Sequence, residues 1–299
     1  MSASLLAGAT SIALVLAGCG DDGDGGNGDG GGGVEGQTIT IGVFNGWDEG
    51  IAASFLWGNV LEDQGATVEY TFADPGPVFQ GVADESADIS FDAWLPNTHA
   101  DFWATHEGVV EDLGAWYLEA PLTIAVNQDA PIQSLAELAE NADVFGNRIV
   151  SIESGSGLYR ITRDEVIPTY GLENMELLDP GTTAMLQELE NAIADGQDIV
   201  VTLWQPHWAY AAFPIRNLED PEGVLANAEE IHAFARPGFT EDFPELAEWV
   251  QGFELTEEQL LEIEEIMVVQ DGASTDEEYA ASVRKWMDAN PDYVEALTG

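Results

Sequence analysis

Hydrophobic residues in the first 126 positions of the chain recur with two different periods. Alternating apolar and polar positions at 38–44 and 68–72 are typical of strands that are buried on one face. Short apolar runs at 89–94 and 122–126 predict strands that are buried on both faces. Between the first two strands, residues 50–63 carry their apolar side chains at helical spacing. The pattern predicts strands that alternate with helices.

The same alternation returns in the middle of the chain. The predicted segments are strands at 148–152, 175–178 and 199–203 and helices at 158–170 and 183–195. Strands that alternate with helices predict parallel sheets with helices on both faces, and two such series indicate two α/β lobes. From residue 241 onwards the pattern is almost entirely helical, with N-cap signals at Thr256 and Thr275.

The N-terminal segment differs from the rest of the chain. Residues 5–17 are apolar and uncharged, and they end in Leu16-Ala17-Gly18-Cys19. This arrangement resembles a lipoprotein signal peptide that is cut before Cys19, whose sulfur then carries the lipid. The absence of Lys and Arg from residues 1–18 departs from the usual pattern, and an incidental apolar start with a stray thiol is the alternative. Residues 20–36 are almost entirely Gly and Asp and predict a flexible tether.

The charge of the chain excludes several classes of protein. There are 56 acidic residues against 7 basic ones, a formal net charge of −49. A nucleic-acid-binding protein would need phosphate-neutralising side chains, and an anionic membrane surface would repel this one. No EF-hand-like loop supports a calcium-binding surface. We therefore interpret the acids as a solvated surface adapted to strong salt, which predicts a halophilic source. Cys19 is the only cysteine, so the chain has no intramolecular disulfide.

Tryptophans stand at or just past the ends of three predicted strands. These are Trp47, Trp94 and Trp204. Ligands in open α/β sheets lie at the carboxyl ends of strands, where three indole faces can surround a quaternary ammonium group without any hydrogen bond. Packing in the core is the alternative for each of them.

A glycine-rich turn, Ser154-Gly155-Ser156-Gly157-Leu158, joins a predicted strand to a predicted helix. Backbone N–H groups at such a turn can bind an anion, although a plain tight turn is the alternative. His99 lies in a loop that enters a predicted helix and could donate to the same anion, or could instead cap the helix or lie on the surface. No His-Glu-x-x-His spacing supports a metal site.

Four segments together resemble the glycine betaine-binding proteins of ATP-binding-cassette importers. They are Trp47-Asp48-Glu49, Asp92-Ala93-Trp94-Leu95-Pro96-Asn97-Thr98-His99, Gly155-Ser156-Gly157 and Val201-Thr202-Leu203-Trp204-Gln205-Pro206-His207-Trp208. Glu230-Ile231-His232 and Arg236-Pro237-Gly238-Phe239 are similar to that family as well, so the likeness extends from residue 38 to the C-terminus.

The resemblance implies a role for each candidate residue. Trp47, Trp94 and Trp204 would form an aromatic cage around the trimethylammonium group, while His99 and the backbone amides of Gly157 and Leu158 would hold the carboxylate. It also implies a binding protein rather than an enzyme, with no metal or cofactor. Its partners would be a permease and an ATPase, and its location extracytoplasmic, anchored to the outer face of the cytoplasmic membrane or in the periplasm.

The expected fold is α/β, two-lobed and similar to type II periplasmic binding proteins, each lobe a sheet flanked by helices. The first lobe is predicted to contain residues 37–126 with 232–299, and the second residues 127–231. Three alternatives stay open: the same fold binding proline betaine, choline or carnitine; an extracellular hydrolase; and a structural surface lipoprotein that binds no ligand.

Overall fold

The structure is a computed structural model that describes residues 33–225 and 228–299. The predicted signal peptide, Cys19 and most of the predicted tether lie outside the described residues. The end of that tether differs from the prediction, because Val34 is buried and belongs to the hydrophobic core. Val34 is the only apolar residue between positions 20 and 36, and the folded body includes it. Among the described helices, none combines the length and the hydropathy that crossing a bilayer requires.

The described residues form ten strands. In chain order they are β1 (Thr38–Phe44), β2 (Thr67–Ala73), β3 (Ile89–Leu95), β4 (Glu111–Ala120), β5 (Leu122–Asn127), β6 (Arg148–Val150), β7 (Glu176–Leu178), β8 (Val200–Trp204), β9 (Ile215–Asn217) and β10 (Glu229–Ala235).

Helices connect and cover these strands. They are α1 (Asp48–Asp63), α2 (Pro75–Ala83), α3 (Ala100–His106), α4 (Gly157–Ile161), α5 (Ile167–Tyr170), α6 (Thr182–Asp195), α7 (Ala209–Ala212), α8 (Phe239–Asp242), α9 (Pro244–Gln251), α10 (Glu257–Glu264), α11 (Asp276–Ala289) and α12 (Pro291–Leu297). Short 3₁₀ helices span Leu135–Glu137 and Ala139–Phe145, and π-helical segments span Thr162–Val166 and Glu265–Gln270. The first π segment joins α4 to α5 without a break.

The first sheet has the strand order β2-β1-β3-β10-β4. Strand β1 pairs in parallel with β2 and β3, whereas β10 pairs antiparallel with β3 and β4. The sheet is therefore mixed, and the prediction of a parallel sheet holds for β1, β2 and β3 but not for β10 and β4. The reason is that β10 returns from a distant part of the chain, so local alternation of strands and helices carries no information about its direction.

The second sheet has the strand order β7-β6-β8-β5-β9. Strand β5 pairs antiparallel with both β8 and β9, so it belongs to this sheet. The predicted boundary after residue 126 is corrected accordingly: the chain changes sheets at Pro121, between β4 and β5. The return crossing lies between β9 and β10, so β10 is in the first lobe from Glu229 onwards.

The C-terminal helices pack onto the first lobe, where α11 lies against α1. Asn59 on α1 donates to the backbone oxygen of Ala280 at 3.1 Å, and Arg284 forms an ion pair with Asp63. The predicted helix starts are confirmed at both places, because Thr256 forms a capping box with Gln259 and the Thr275 side chain caps α11.

Candidate functional site

Trp47, Trp94 and Trp204, here called the indole cluster, come together between the two lobes. The ring of Trp47 lies 6.5 Å from that of Trp94, at an interplanar angle of 89°, and 5.7 Å from that of Trp204, at 36°. Trp47 follows β1, Trp94 lies near the end of β3, and Trp204 ends β8 of the other sheet. All three side chains are at least 97% buried. The ends of three strands from two sheets thus supply one group of rings.

Each ring of the indole cluster is held at its edge by an acidic side chain. The Nε1–H groups donate as follows: Trp47 to Glu153 at 2.8 Å, Trp94 to Asp92 at 2.9 Å, and Trp204 to Glu49 at 3.0 Å. An indole N–H that is buried usually finds such a partner, and the bond fixes the rotation of the ring. These bonds engage only the edges of the rings, whose faces are packed against one another and against neighbouring side chains.

His99 is fully buried beside the indole cluster, and its ring stacks on that of Trp47 at 5.5 Å. Its Nδ1 accepts a hydrogen bond from the backbone N–H of Trp94 at 2.9 Å. Burial, assisted by the positive charge of Arg160, lowers the pKa of His99 to about 3, so the ring is neutral and carries its proton on Nε2. Within the described residues that Nε2–H has no acceptor. A buried donor without a partner is costly, and a ligand carboxylate is one group that would satisfy it.

The glycine-rich turn lies directly against the loop that carries His99. A Cβ added at Gly157 would be 2.1 Å from the backbone oxygen of Thr98, so only glycine allows this approach. Ser156 is the N-cap of α4 and accepts from the backbone N–H of Tyr159 at 3.1 Å. The amides of Gly157 and Leu158 are the first of the helix and have no acceptor in a preceding turn. Two helix-start amides and the His99 imidazole are therefore on neighbouring segments.

Glu229, which the sequence analysis did not single out, holds this loop in place. Its carboxylate accepts from the backbone N–H groups of Asn97 and Thr98 at 2.5 and 2.9 Å, and from the hydroxyl of Thr98. Its side chain is 1% exposed. The one sequence signal for Glu229 was the alternation along β10, which puts Glu229 on the buried face with Ile231.

Four acidic side chains next to the indole cluster are buried, contrary to the interpretation of the acids as a solvated surface. They are Asp48, Glu49, Asp92 and Glu264. Burial raises the pKa of Asp48 to about 6, although a hydrogen bond from Trp208 acts in the opposite direction. Burial also raises the pKa of Asp92 to about 8. Burial also raises the pKa of Glu49 and Glu264 well above the usual range, and repulsion among these carboxyls adds to the effect. The group is therefore partly protonated near neutral pH.

Two clefts between the lobes reach this region. The larger, of about 780 Å³, is lined by Gly46 and Asp74 of the first lobe and by Glu153 and Thr182 of the second. The smaller, of about 180 Å³, includes Thr98 and the glycine-rich turn. Through the two clefts, solvent reaches residues next to Trp47 on one side and next to His99 on the other.

The buried histidines do not form a hydrolytic arrangement. Like His99, His207 accepts from a backbone amide through Nδ1, here that of Ala209 at 3.1 Å. In residues 33–225 and 228–299 neither ring hydrogen-bonds a hydroxyl or a carboxylate, as a triad requires. No group of three or more metal-binding side chains converges in the same residues.

Comparisons with known proteins give one consistent result. A family model described as the substrate binding domain of the ABC-type glycine betaine transport system matches residues 37–289. The glycine betaine/carnitine transport binding protein GbuC of Listeria monocytogenes is 34% identical over 171 residues, which are 56% of this chain and 54% of that protein. The chain thus matches about half the length of this curated relative.

Two crystal structures are similar over most of the chain. Lactococcal OpuAC, in a closed-liganded conformation with glycine betaine, is 26% identical with a TM-score of 0.79, covering 88% of this chain and all of that one. The glycine/betaine/L-proline-binding protein ProX of Borrelia burgdorferi has the same identity and TM-score, covering 86% and 95%. These likenesses confirm the predicted two-lobed α/β fold.

Proposed function

The chain belongs to the family of substrate-binding domains of ABC-type glycine betaine transport systems, and from this membership we propose that it captures glycine betaine for an ATP-driven importer. The observation that carries the proposal is the convergence of three indoles from both lobes beside a neutral imidazole with an unsatisfied buried N–H. A zwitterion with one methylated cation and one carboxylate matches these two features.

The indole cluster is the proposed site of the trimethylammonium group. This cation has no N–H to donate, so hydrogen-bond acceptors lose their advantage over aromatic faces. Each face contributes about 0.5–2 kcal/mol to binding when water is excluded. Because Trp47 and Trp204 are only 5.7 Å apart, a methylated cation that enters between them would move the rings and change their fluorescence.

His99, Gly157 and Leu158 are the proposed carboxylate site. The Nε2–H of His99 would donate to one carboxylate oxygen, and the first two amides of α4 would donate to the ligand as well. A neutral histidine suits this role, because its donor stays in place at any pH well above its pKa of about 3. Choline has one hydroxyl in place of the carboxylate, so it offers fewer acceptors and no negative charge to these three donors.

Delivery requires the two lobes to close on the ligand and a permease to recognise the closed form. The ligand would favour closure because the first lobe supplies Trp47, Trp94 and His99, whereas the second supplies Trp204, Gly157 and Leu158. We further propose that the protein works outside the cytoplasm, is anchored through a lipid on Cys19 and is not an enzyme. A chain with a formal net charge of −49 fits strong external salt, the condition in which a cell imports osmolytes.

The proposal is tested by titrating the protein that lacks residues 1–19 with glycine betaine in molar salt while recording tryptophan fluorescence. We expect a saturable change in the parent and a loss of affinity of about tenfold or more in Trp94→Ala. The control is Trp249→Ala, which removes a partly exposed tryptophan on α9 and should bind like the parent. Equal affinity of Trp94→Ala and the parent would show that the indole cluster is not the cation site. Proline betaine, carnitine and choline, titrated in parallel, give the preference among related ligands.

A further inference from the structure

The three acidic side chains that accept from the indole cluster are not all on the same lobe as the ring that they bind. The acceptor for Trp94 is Asp92, two residues away on the same strand, so this bond forms whatever the arrangement of the lobes. Trp47 of the first lobe instead donates to Glu153 of the second lobe at 2.8 Å. This bond exists only when the lobes are together.

Glu153 is itself fixed by the second lobe. Its other carboxylate oxygen accepts from the hydroxyl of Thr182 at 2.9 Å and from the Thr182 backbone N–H at 3.3 Å, where α6 begins. Its backbone oxygen accepts from the backbone N–H of Ser156 at 3.1 Å and from the Ser156 hydroxyl at 2.8 Å. Glu153 therefore has a set position between α6 and the glycine-rich turn, and closure brings Trp47 to it.

We propose that Glu153 is a positioning residue that couples the two ends of the ligand site. On closure its carboxylate orients the Trp47 ring of the cation site, while its backbone oxygen holds Ser156, the residue before the Gly157 amide of the carboxylate site. The indole bond from Trp204 to Glu49 crosses between the lobes in the opposite direction and supports the same coupling. This inference rests on the proposed function.

Removing the Glu153 carboxylate, which accepts from Trp47, should destabilise the closed state more than the open state. When the lobes are apart, water solvates both the indole N–H and the carboxylate. When they close without an acceptor, the N–H is buried unsatisfied, since Trp47 is 3% exposed. The lost bond is charge-assisted, so Glu153→Met should weaken glycine betaine binding by about 10- to 100-fold.

A double-mutant cycle with Trp47→Phe separates positioning from a general structural role. Phenylalanine keeps an aromatic face but has no N–H to donate. If Glu153 acts through Trp47, Glu153→Met weakens binding by about tenfold or more in the parent and by less than about twofold in the Trp47→Phe background. Equal losses in both backgrounds would overturn the inference. Glycine betaine dissolves to molar concentrations, so the weakened variants can be titrated to saturation.

Two controls complete the experiment. Glu173→Met makes the same substitution at an exposed site of the second lobe and should leave the affinity unchanged. Glu153→Gln, which keeps one acceptor oxygen, should lie between Glu153→Met and the parent in affinity. Thermal unfolding without ligand measures separately the cost of losing the two bonds from Thr182 within the second lobe. A parent that shows no saturable binding would refute the proposed function, whereas a binding parent with an additive cycle would refute only the role of Glu153.

Discussion

Gly157→Ala offers a sharp test of the contact between the two lobes. The added methyl carbon would lie 2.1 Å from the backbone oxygen of Thr98 and 2.7 Å from its carbonyl carbon, whereas ordinary contacts begin at 3.4 Å. The lobes would have to separate by more than 1 Å at this point, because Glu229 fixes the backbone of Thr98. Overpacking of this kind costs about 1–3 kcal/mol, which corresponds to a loss of affinity of about 5- to 150-fold.

Glycine betaine affinity is measured by isothermal titration calorimetry, with unfolding by urea as a check on the unliganded protein. Alanine suits a helical position better than glycine, so the unliganded protein should be at least as stable as the parent. Gly155→Ala is the matched control, since its Cβ would meet only Asp74, at 3.9 Å. Parent-like affinity in Gly157→Ala would refute the idea that ligand binding requires this close approach.

Three further predictions concern the buried titratable groups. Folding raises the pKa of Asp48 from 3.8 to about 6, so its stabilising contribution is complete below pH about 4 and is lost as the pH rises through about 6. Asp48→Asn keeps an oxygen for the indole N–H of Trp208 and should raise the stability at pH about 8 by about 3 kcal/mol, with little effect at pH about 4. Urea unfolding in molar salt checks this, and pH profiles that run parallel for variant and parent would contradict it. In the same titration, His99→Phe should weaken the binding of glycine betaine by about 10- to 100-fold but that of choline by less than about threefold. An equal loss of affinity for both ligands would argue against a role of His99 in binding the carboxylate. Because the pKa of His99 is about 3, parental betaine affinity should show no step from this ring between pH about 5 and pH about 8.

Local patterns predicted the strands and helices of the α/β units well. The alternation at the start of the body predicted β1 with its observed bounds, Thr38–Phe44, and helical spacing predicted all but the first two residues of α1. The same patterns did not predict that β5 joins the second sheet or that β10 runs antiparallel beside β3. Both depend on pairing between segments that are far apart in sequence, which hydrophobic periodicity does not encode.

The sequence predicted the parts of the site in which residues of distinctive chemistry stand at the ends of predicted strands. The indoles of Trp47, Trp94 and Trp204 lie together as their strand-end positions suggested, and the loop of His99 lies against Gly157. Their carboxyl partners Glu153, Asp92 and Glu49 were not singled out, because the chain has 56 acidic residues and few of them carry a pattern that marks them as different from the rest. Asp92 did carry a signal, since it is the one charged residue within the apolar run of β3.

The central claim is that indole faces bind a positive charge, and the most direct test compares glycine betaine with tert-butylacetate. This analogue has nearly the same shape and the same carboxylate, but a neutral carbon replaces the ammonium nitrogen. We predict that glycine betaine binds at least about tenfold more tightly, since each aromatic face contributes about 0.5–2 kcal/mol for the cation alone. Equal affinities would contradict the account, because apolar burial would then explain binding without any role for charge.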